Sequence, residues 1–438
     1  MQWFPDKKGL ASGLTIAGFG CGSLVFTPVF QSLVKMYAKV PEYLGPAADF
    51  ATSIVDGRML ANVNGTVIEV VSANASDIAK LTVKTAEGLY IVGTGSTGAA
   101  EAFGTIGAAY FVMMIASALS IKRPHTSFVP EGYVPPQPST AVGAKAPVAD
   151  LSVDEVMKTK QFYLLGTSFF AVAAGGMALF SVAKPMMNEV FTAAMPQVVT
   201  SAFAAKFILL VSAGSLAGRI IWAAVSDKIG RKATFCIFSI GSVPLYLSLP
   251  TFVDQVITTH DVMPLYCFIG SCMMAMSFVG GHYAILPAWE SDLFGNLQVS
   301  AVHGRMLIFS SLAALVGPYA LIKLRYISEK QAVLDLVKKI EPELFETKFN
   351  APIEQAIALL DSKALSISKL MVIAPPGTID PTPYIYDTTM YGLSGLMVCA
   401  VVANLATFPL TSPPKRTITV EATEVNNSNS PNDTKKLN

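Results

Sequence analysis

Charge is what this chain has least of. Asp, Glu, Lys and Arg make up 14% of its 438 residues, where soluble domains carry roughly 25%. The net charge of +1 leaves no electrostatic footprint for a nucleic-acid partner. Only four histidines and five cysteines are present, and Cys21, Cys236, Cys267, Cys272 and Cys399 all fall inside apolar stretches. A disulfide framework or zinc site is therefore not expected; buried inert thiols are. There is no His-rich metal cluster, nucleophile motif or intramembrane carboxylate pair. The sequence thus gives no ground for an enzyme or a bound cofactor. Residues 1–8 lack the apolar core of a secretory signal.

What is abundant is apolar length. Hydrophobic residues make up 52% of the chain, and mean hydropathy is +0.51. They are gathered into runs of roughly 20 residues, enough to span a bilayer as helices. Eight such spans can be read, at about Gly9 to Val34, Ala99 to Ile121, Phe162 to Met187, Val198 to Val225, Ala233 to Val253, Met263 to Pro287, Gly304 to Tyr326 and Thr389 to Leu410. The expected fold class is an all-α membrane protein, with the lipid bilayer as its solvent. Gly18-Phe-Gly-Cys-Gly22 reads as a close-contact helix face. Pro244 is expected to kink the fifth span, and Gly280-Gly281 and Pro287 to interrupt the sixth.

Two longer polar stretches separate spans. Residues 35–98 contain a strand-like run, Thr66 to Val71, and a second from Lys80 to Tyr90. They also hold two N-glycosylation sequons, at Asn64 and Asn74. Residues 327–387 show amphipathic helical patterning near Ala332–Lys348 and Ile353–Lys369. Residues 122–160 are a Pro-rich linker with a short amphipathic helix near Val153, and 413–438 form a polar tail expected to be disordered.

Basic residues sort the two sides. Lys7/Lys8, Lys122/Arg123, Lys158/Lys160, Lys228/Arg231/Lys232 and Lys415/Arg416 share the side of both termini. The short opposite loops near 188–197 and 254–262 have no Lys or Arg. This pattern predicts cytoplasmic termini, puts both long loops outside, and agrees with the sequons at a plasma-membrane exterior.

One charge departs from the pattern. Arg219 lies well inside the fourth span, where a guanidinium costs roughly 2.5–3.5 kcal/mol on an insertion scale. It can snorkel, pair with Glu290 or Asp292, or face a cavity that takes an anion. His282 is either a proton carrier or a hydrogen-bonded structural histidine.

The order of parts suggests a family. The turn Ser226-Asp-Lys-Ile-Gly-Arg-Lys232 resembles the Asp-Arg/Lys-x-Gly-Arg-Arg/Lys loop of the major facilitator superfamily, with Ala223 where the family's leading glycine falls. Trp3-Phe-Pro-Asp-Lys-Lys-Gly-Leu-Ala-Ser-Gly13 is similar to the entry to helix 5. Gly281-His-Tyr-Ala-Ile-Leu-Pro-Ala-Trp-Glu-Ser-Asp-Leu-Phe-Gly295, with Val302-His-Gly-Arg305, resembles the helix 10–11 region of the oxalate/formate-antiporter and monocarboxylate-transporter-like branch.

The resemblance implies a partial bundle equivalent to helices 5 to 12, with four preceding helices lacking a counterpart. The chain is then a piece of a longer transporter or an eight-helix variant. Residues 1–121 would end an N-terminal bundle, and 161–412 would form a six-helix C-terminal bundle. The long loops 35–98 and 327–387 fall at equivalent positions of the two halves, which implies a shared architecture. The resemblance further implies a small organic anion, monocarboxylate-like, as substrate, with a proton or counter-anion as the open co-substrate.

The resemblance makes Arg219 the carboxylate-binding residue, with His282 and Tyr283 nearby. Ser310 stands where the branch's oxalate carriers have a helix-11 lysine, so a two-cation clamp is not expected. Asp227, Lys228, Gly230, Arg231 and Lys232 would form a cytoplasmic gate. The alternatives are a non-transporting membrane receptor or scaffold that uses the outer loops, or a truncated transporter without activity.

Overall fold

The computed structural model describes residues 3–4, 7–55, 58–63, 65–73, 86–122, 125, 128, 130, 151–295, 298–349, 351–361 and 365–408. The sequons at Asn64 and Asn74, much of the linker and the C-terminal tail lie outside them.

Among the described residues, eight helices are long and apolar enough to cross a membrane. In chain order the helices are α1 (Lys8–Tyr37), α2 (Ala99–Ser120), the short α3 (Val153–Met157), α4 (Lys160–Phe191), α5 (Ser201–Ile229), α6 (Arg231–Thr259), α7 (Val262–Phe294), α8 (Val299–Val337), the short α9 (Pro342–Phe349), α10 (Ala356–Asp361) and α11 (Ile367–Met371), and α12 (Asp387–Ala406). The chain is an all-α membrane protein with a small sheet outside the bundle.

Helix starts follow local chemistry. The side chains of Thr159, Thr200 and Asp261 accept hydrogen bonds from the backbone N–H groups of Phe162, Phe203 and Met263, capping α4, α5 and α7. Ser152 and Glu155 form a reciprocal capping box that starts α3. This is the short helix expected near Val153. Gly230 alone separates α5 from α6 at φ 90°, a backbone region open to glycine.

The span with Pro244 and the span expected to be interrupted at Gly280-Gly281 and Pro287 each form one continuous helix, which overturns the interruption. α6 runs unbroken through Pro244 and Pro250, because in a bundle neighbouring groups re-satisfy the freed backbone carbonyls. α7 runs through Gly280, Gly281 and Pro287 to Phe294. Its glycine is a packing device instead. Gly280 lies against the Ser215 backbone of α5, and Gly218 of α5 lies against the Ser277 backbone of α7. A methyl group on Gly214 would meet the Met273 carbonyl oxygen at 2.6 Å. Small residues on both helices let their backbones touch.

α4 is the most enclosed of the spans, and α2 the least. Phe103, Phe111, Met114 and Leu119 of α2 are exposed, as a lipid-facing surface requires.

The two long insertions fold differently. Residues 43–91 form a five-stranded antiparallel sheet in the order β1-β5-β4-β3-β2, comprising β1 (Tyr43–Gly45), β2 (Thr52–Val55), β3 (Arg58–Val63), β4 (Thr66–Ala73) and β5 (Gly88–Ile91). The first expected strand lies within β4; the second, Lys80 to Tyr90, overlaps β5 only from Gly88 to Tyr90, and its residues 80–85 lie outside the described ones. Ala61, Val70 and Leu89 are its buried core, against Leu44, Phe50 and Met59. A bridge between Lys39 and Ser96 closes its base on α1 and α2.

The second insertion is helical. α8 does not stop at Tyr326 but continues to Val337. Phe345, Leu360, Ile367 and Leu370 extend the same core that α4 and α7 build. Arg325 ties the insertion to the bundle. It donates to Glu189 of α4 at 2.9 Å, to Glu329 at 2.8 Å and to the Tyr386 hydroxyl at 3.1 Å. The equivalent positions of the two loops thus do not carry a shared architecture.

Candidate functional site

Arg219 sits on α5 and is 5% exposed. Its guanidinium does not reach Glu290 or Asp292. It turns toward α1, where Nη1 donates to the Ile16 carbonyl oxygen at 3.0 Å. Glu290 is bonded to His303 instead, and Asp292 to Arg231. Snorkelling is also excluded by this burial.

The approach of α1 to α5 rests on glycine. A methyl on Gly13 would meet the Arg219 carbonyl oxygen at 2.6 Å, and one on Gly20 would meet Arg219 Nη1 at 2.7 Å. One on Gly9 would meet Asp227 Oδ1 at 2.5 Å. Gly9, Gly13 and Gly20 share one helix face by their spacing. Of the expected contact face, Gly18 to Gly22, only Gly20 is in contact: a methyl on Gly18 or Gly22 would meet nothing within 4 Å among the described residues. Ser12, on the same helix, donates to the Ala284 carbonyl of α7 at 2.8 Å.

Tyr283 and Ser310 meet across α7 and α8, with their hydroxyl oxygens 2.6 Å apart. Tyr283 is also within electrostatic range of Arg219. Three of the four expected substrate residues therefore gather in one region: a buried guanidinium, a phenol and a hydroxyl.

His282 is elsewhere. It is fully buried and stacks on Phe169 with ring centroids 5.7 Å apart and planes 13° from parallel. Phe235 lies at 4.0 Å and Phe238 at 6.0 Å. Neither ring nitrogen has a hydrogen-bond partner among the described residues. Adjacent residues on a helix point about 100° apart, so His282 enters an aromatic box while Tyr283 faces Ser310. It is not the hydrogen-bonded histidine of the bland expectation.

The turn residues form a charge network. Asp227 Oδ2 accepts from the Leu10 backbone N–H at 3.1 Å, at the N-terminus of α1, where a carboxylate is favoured by the helix dipole. Its Oδ1 pairs with Arg231 at 2.5 Å, and Arg231 also reaches Asp292 at 3.4 Å and the Ser226 hydroxyl. Lys232 donates to the Leu405 carbonyl at 3.3 Å and lies 3.9 Å over the Phe408 ring. Lys228 is exposed in the last turn of α5. Asp292, one of the alternative partners that the sequence offers for Arg219, pairs with Arg231 instead. Sixty-one positions separate it from Arg231, and no local pattern links them.

Among known proteins, no family profile matches the chain. Three curated relatives do. The oxalate:formate antiporter of Oxalobacter formigenes is 27% identical over 321 residues, covering 72% of this chain and 55% of the relative. The apicoplast pyruvate carrier 1 of Toxoplasma gondii is 23% identical over 331 residues, covering 72% and 53%. An uncharacterised MFS-type transporter of Escherichia coli (strain K12) is 22% identical over 304 residues, covering 69% and 54%. The chain spans about half the length of the curated relatives it matches. Its homologues are thus an antiporter, a carrier and an MFS-type transporter at low identity, and its eight spans fit an MFS-like partial transporter.

Proposed function

We propose that this membrane transporter is a secondary active carrier of a small organic anion, monocarboxylate-like, that works by alternating access. The observation that carries the reading is the position of Arg219. Its guanidinium is buried between α1 and α5, and by the resemblance those helices come from the two halves that rock against each other. Its Nη1 rests on a backbone carbonyl. A carboxylate is a stronger acceptor for a guanidinium than a neutral carbonyl, by roughly a factor of two in energy. An entering anion would displace that contact and change how α1 lies on α5. Tyr283 and Ser310 would orient the second carboxylate oxygen or the rest of the substrate.

Asp227 and Arg231, with Lys228, Gly230 and Lys232 around them, serve as the cytoplasmic gate. The Leu10 N–H to Asp227 contact joins α1 to the α5–α6 turn, and opening that side must break it. Termini in the cytoplasm, glycosylation at Asn64 and Asn74 and a plasma-membrane location complete the reading. The similarity to an oxalate:formate antiporter and a pyruvate carrier supports the substrate class. Two folded outer modules favour a second reading, a membrane receptor or scaffold.

Counterflow separates the two. Proteoliposomes of the full chain, preloaded with unlabelled formate, pyruvate or oxalate, should accumulate the matching label transiently. Vesicles that never exceed protein-free controls with any of the three would favour the receptor.

A further inference from the structure

Glu290, in the last turn of α7, is fully buried. Its Oε2 lies 2.9 Å from Nδ1 of His303, near the start of α8. Its Oε1 has no hydrogen-bond partner among the described residues. Trp289, Leu293, Val302 and Met306 of the same two helices belong, with Val153 and Val156 of α3, to one buried apolar cluster. The His303 side chain keeps 26% of its surface exposed. A buried acid therefore meets a base that reaches the surface.

The other ionisable groups on the elements packed here are engaged elsewhere or exposed. On α3, Asp154 and Lys158 are exposed and Glu155 is held in the Ser152 capping box. Lys160 and Tyr163 of α4, Lys228 of α5 and Arg305 of α8 are exposed. Asp227, Arg231 and Asp292 bind one another, and Lys232 reaches the end of α12. Arg219 faces α1, Tyr283 bonds Ser310, and His282 sits in its aromatic box. Cys236 of α6 is half-buried.

An unprotonated Glu290 would be a full negative charge with one oxygen unpartnered, and burying an unpaired ion costs several kcal/mol. One proton shared between Oε2 and Nδ1 makes the pair neutral, whether it resides on the acid or the imidazole. A second proton would leave a net buried cation, so the site holds one. We propose that Glu290 and His303 form a one-proton binding site between α7 and α8, loaded and emptied through His303, whose occupancy sets the pH dependence of the carrier.

The location gives the proton something to control. Two backbone-anchored bonds dock the linker on this turn, Leu151 N–H to the Phe294 carbonyl at 3.1 Å and Val153 N–H to Gln298 Oε1 at 2.9 Å. Asp292, two residues beyond Glu290, holds Arg231 of the gate. Loss of the proton charges the buried end of α7 and disturbs both attachments. The control of transport rests on the carrier reading above; the proton site itself does not.

The test has two arms on the full chain in liposomes. A pH-difference infrared titration should show a buried carboxyl band that Glu290→Gln abolishes and whose midpoint His303→Gln moves by about one pH unit or more. Glu290→Asp, which keeps the acid, should retain a displaced band, and equal thermal unfolding of the variants would show that each is folded. In counterflow between pH 5 and pH 8, wild-type exchange should change by about tenfold, and Glu290→Gln should flatten that change to within about twofold. A titration in which no carboxyl band depends on Glu290 overturns the site. A wild-type pH profile retained in Glu290→Gln overturns its control of transport. If the band titrates as expected while the wild type exchanges no anion, the proton site stands and the carrier reading falls.

Discussion

Two layers of charge lie around α5, one at its turn with α6 and one deeper in the helix, and they are built in opposite ways. At the turn, Asp227, Arg231 and Asp292 neutralise one another over distances of 2.5 and 3.4 Å, at partly exposed positions. Deeper in the same helix, Arg219 is buried and its Nη1 is held by a backbone carbonyl of α1. The first arrangement is complete within the protein and can only make or break as the helices move. On the carrier reading proposed above, the second would exchange its contact with the Ile16 carbonyl for one with an arriving anion. On that reading, the cations of α5 and α6 divide into a fastening, Arg231, and a receptor for cargo, Arg219. Glycine serves both, since Gly9 admits the Asp227–Arg231 pair and Gly20 admits the guanidinium of Arg219.

The largest effect should come from the deep layer. Arg219→Lys keeps the charge but loses the fork that binds a carboxylate through two N–H groups. Counterflow should fall on the order of 100-fold, the equivalent of about 3 kcal/mol. An intact rate would erase the distinction between the layers. Next comes the fit of α1. Gly13→Leu should cost about 1–3 kcal/mol by forcing α1 from α5, read as a lower unfolding temperature in detergent. Gly18→Leu, facing open space, should leave that temperature unchanged. At the turn, Asp227→Asn should speed amide exchange in the first turn of α1 by about tenfold, because the Leu10 N–H loses a charged acceptor. Mass-spectrometric exchange at that peptide reads it directly. Ser310→Ala should do least, raising KM by about two- to fivefold through loss of one neutral hydrogen bond.

The spans were legible because apolar length is a strong signal, and Arg219 stood out because a charge interrupts it. Helix ends were less so. The runs mark the lipid-soluble middle, whereas Thr159, Thr200 and Asp261 set the starts one to three residues earlier or later. The two long insertions show a further limit. Their matching lengths and positions suggested one architecture, yet 35–98 alternates β-branched and polar residues and pairs as a sheet, while 327–387 is rich in helix formers and extends α8. Contacts between distant positions carried no local signal at all: Arg219 to Ile16, Arg231 to Asp292, Glu290 to His303. The gathering of Tyr283 with Ser310 agreed with expectation, whereas the isolation of His282 depended on where Phe169, Phe235 and Phe238 happen to pack.

The most direct test of the account is equilibrium binding of labelled formate, pyruvate and oxalate to the purified full chain, with wild type and Arg219→Lys measured side by side. Saturable binding of at least one anion by the wild type, weakened on the order of 100-fold by the lysine, is the result expected of a guanidinium that receives the cargo. Equal affinity in the two proteins would contradict it.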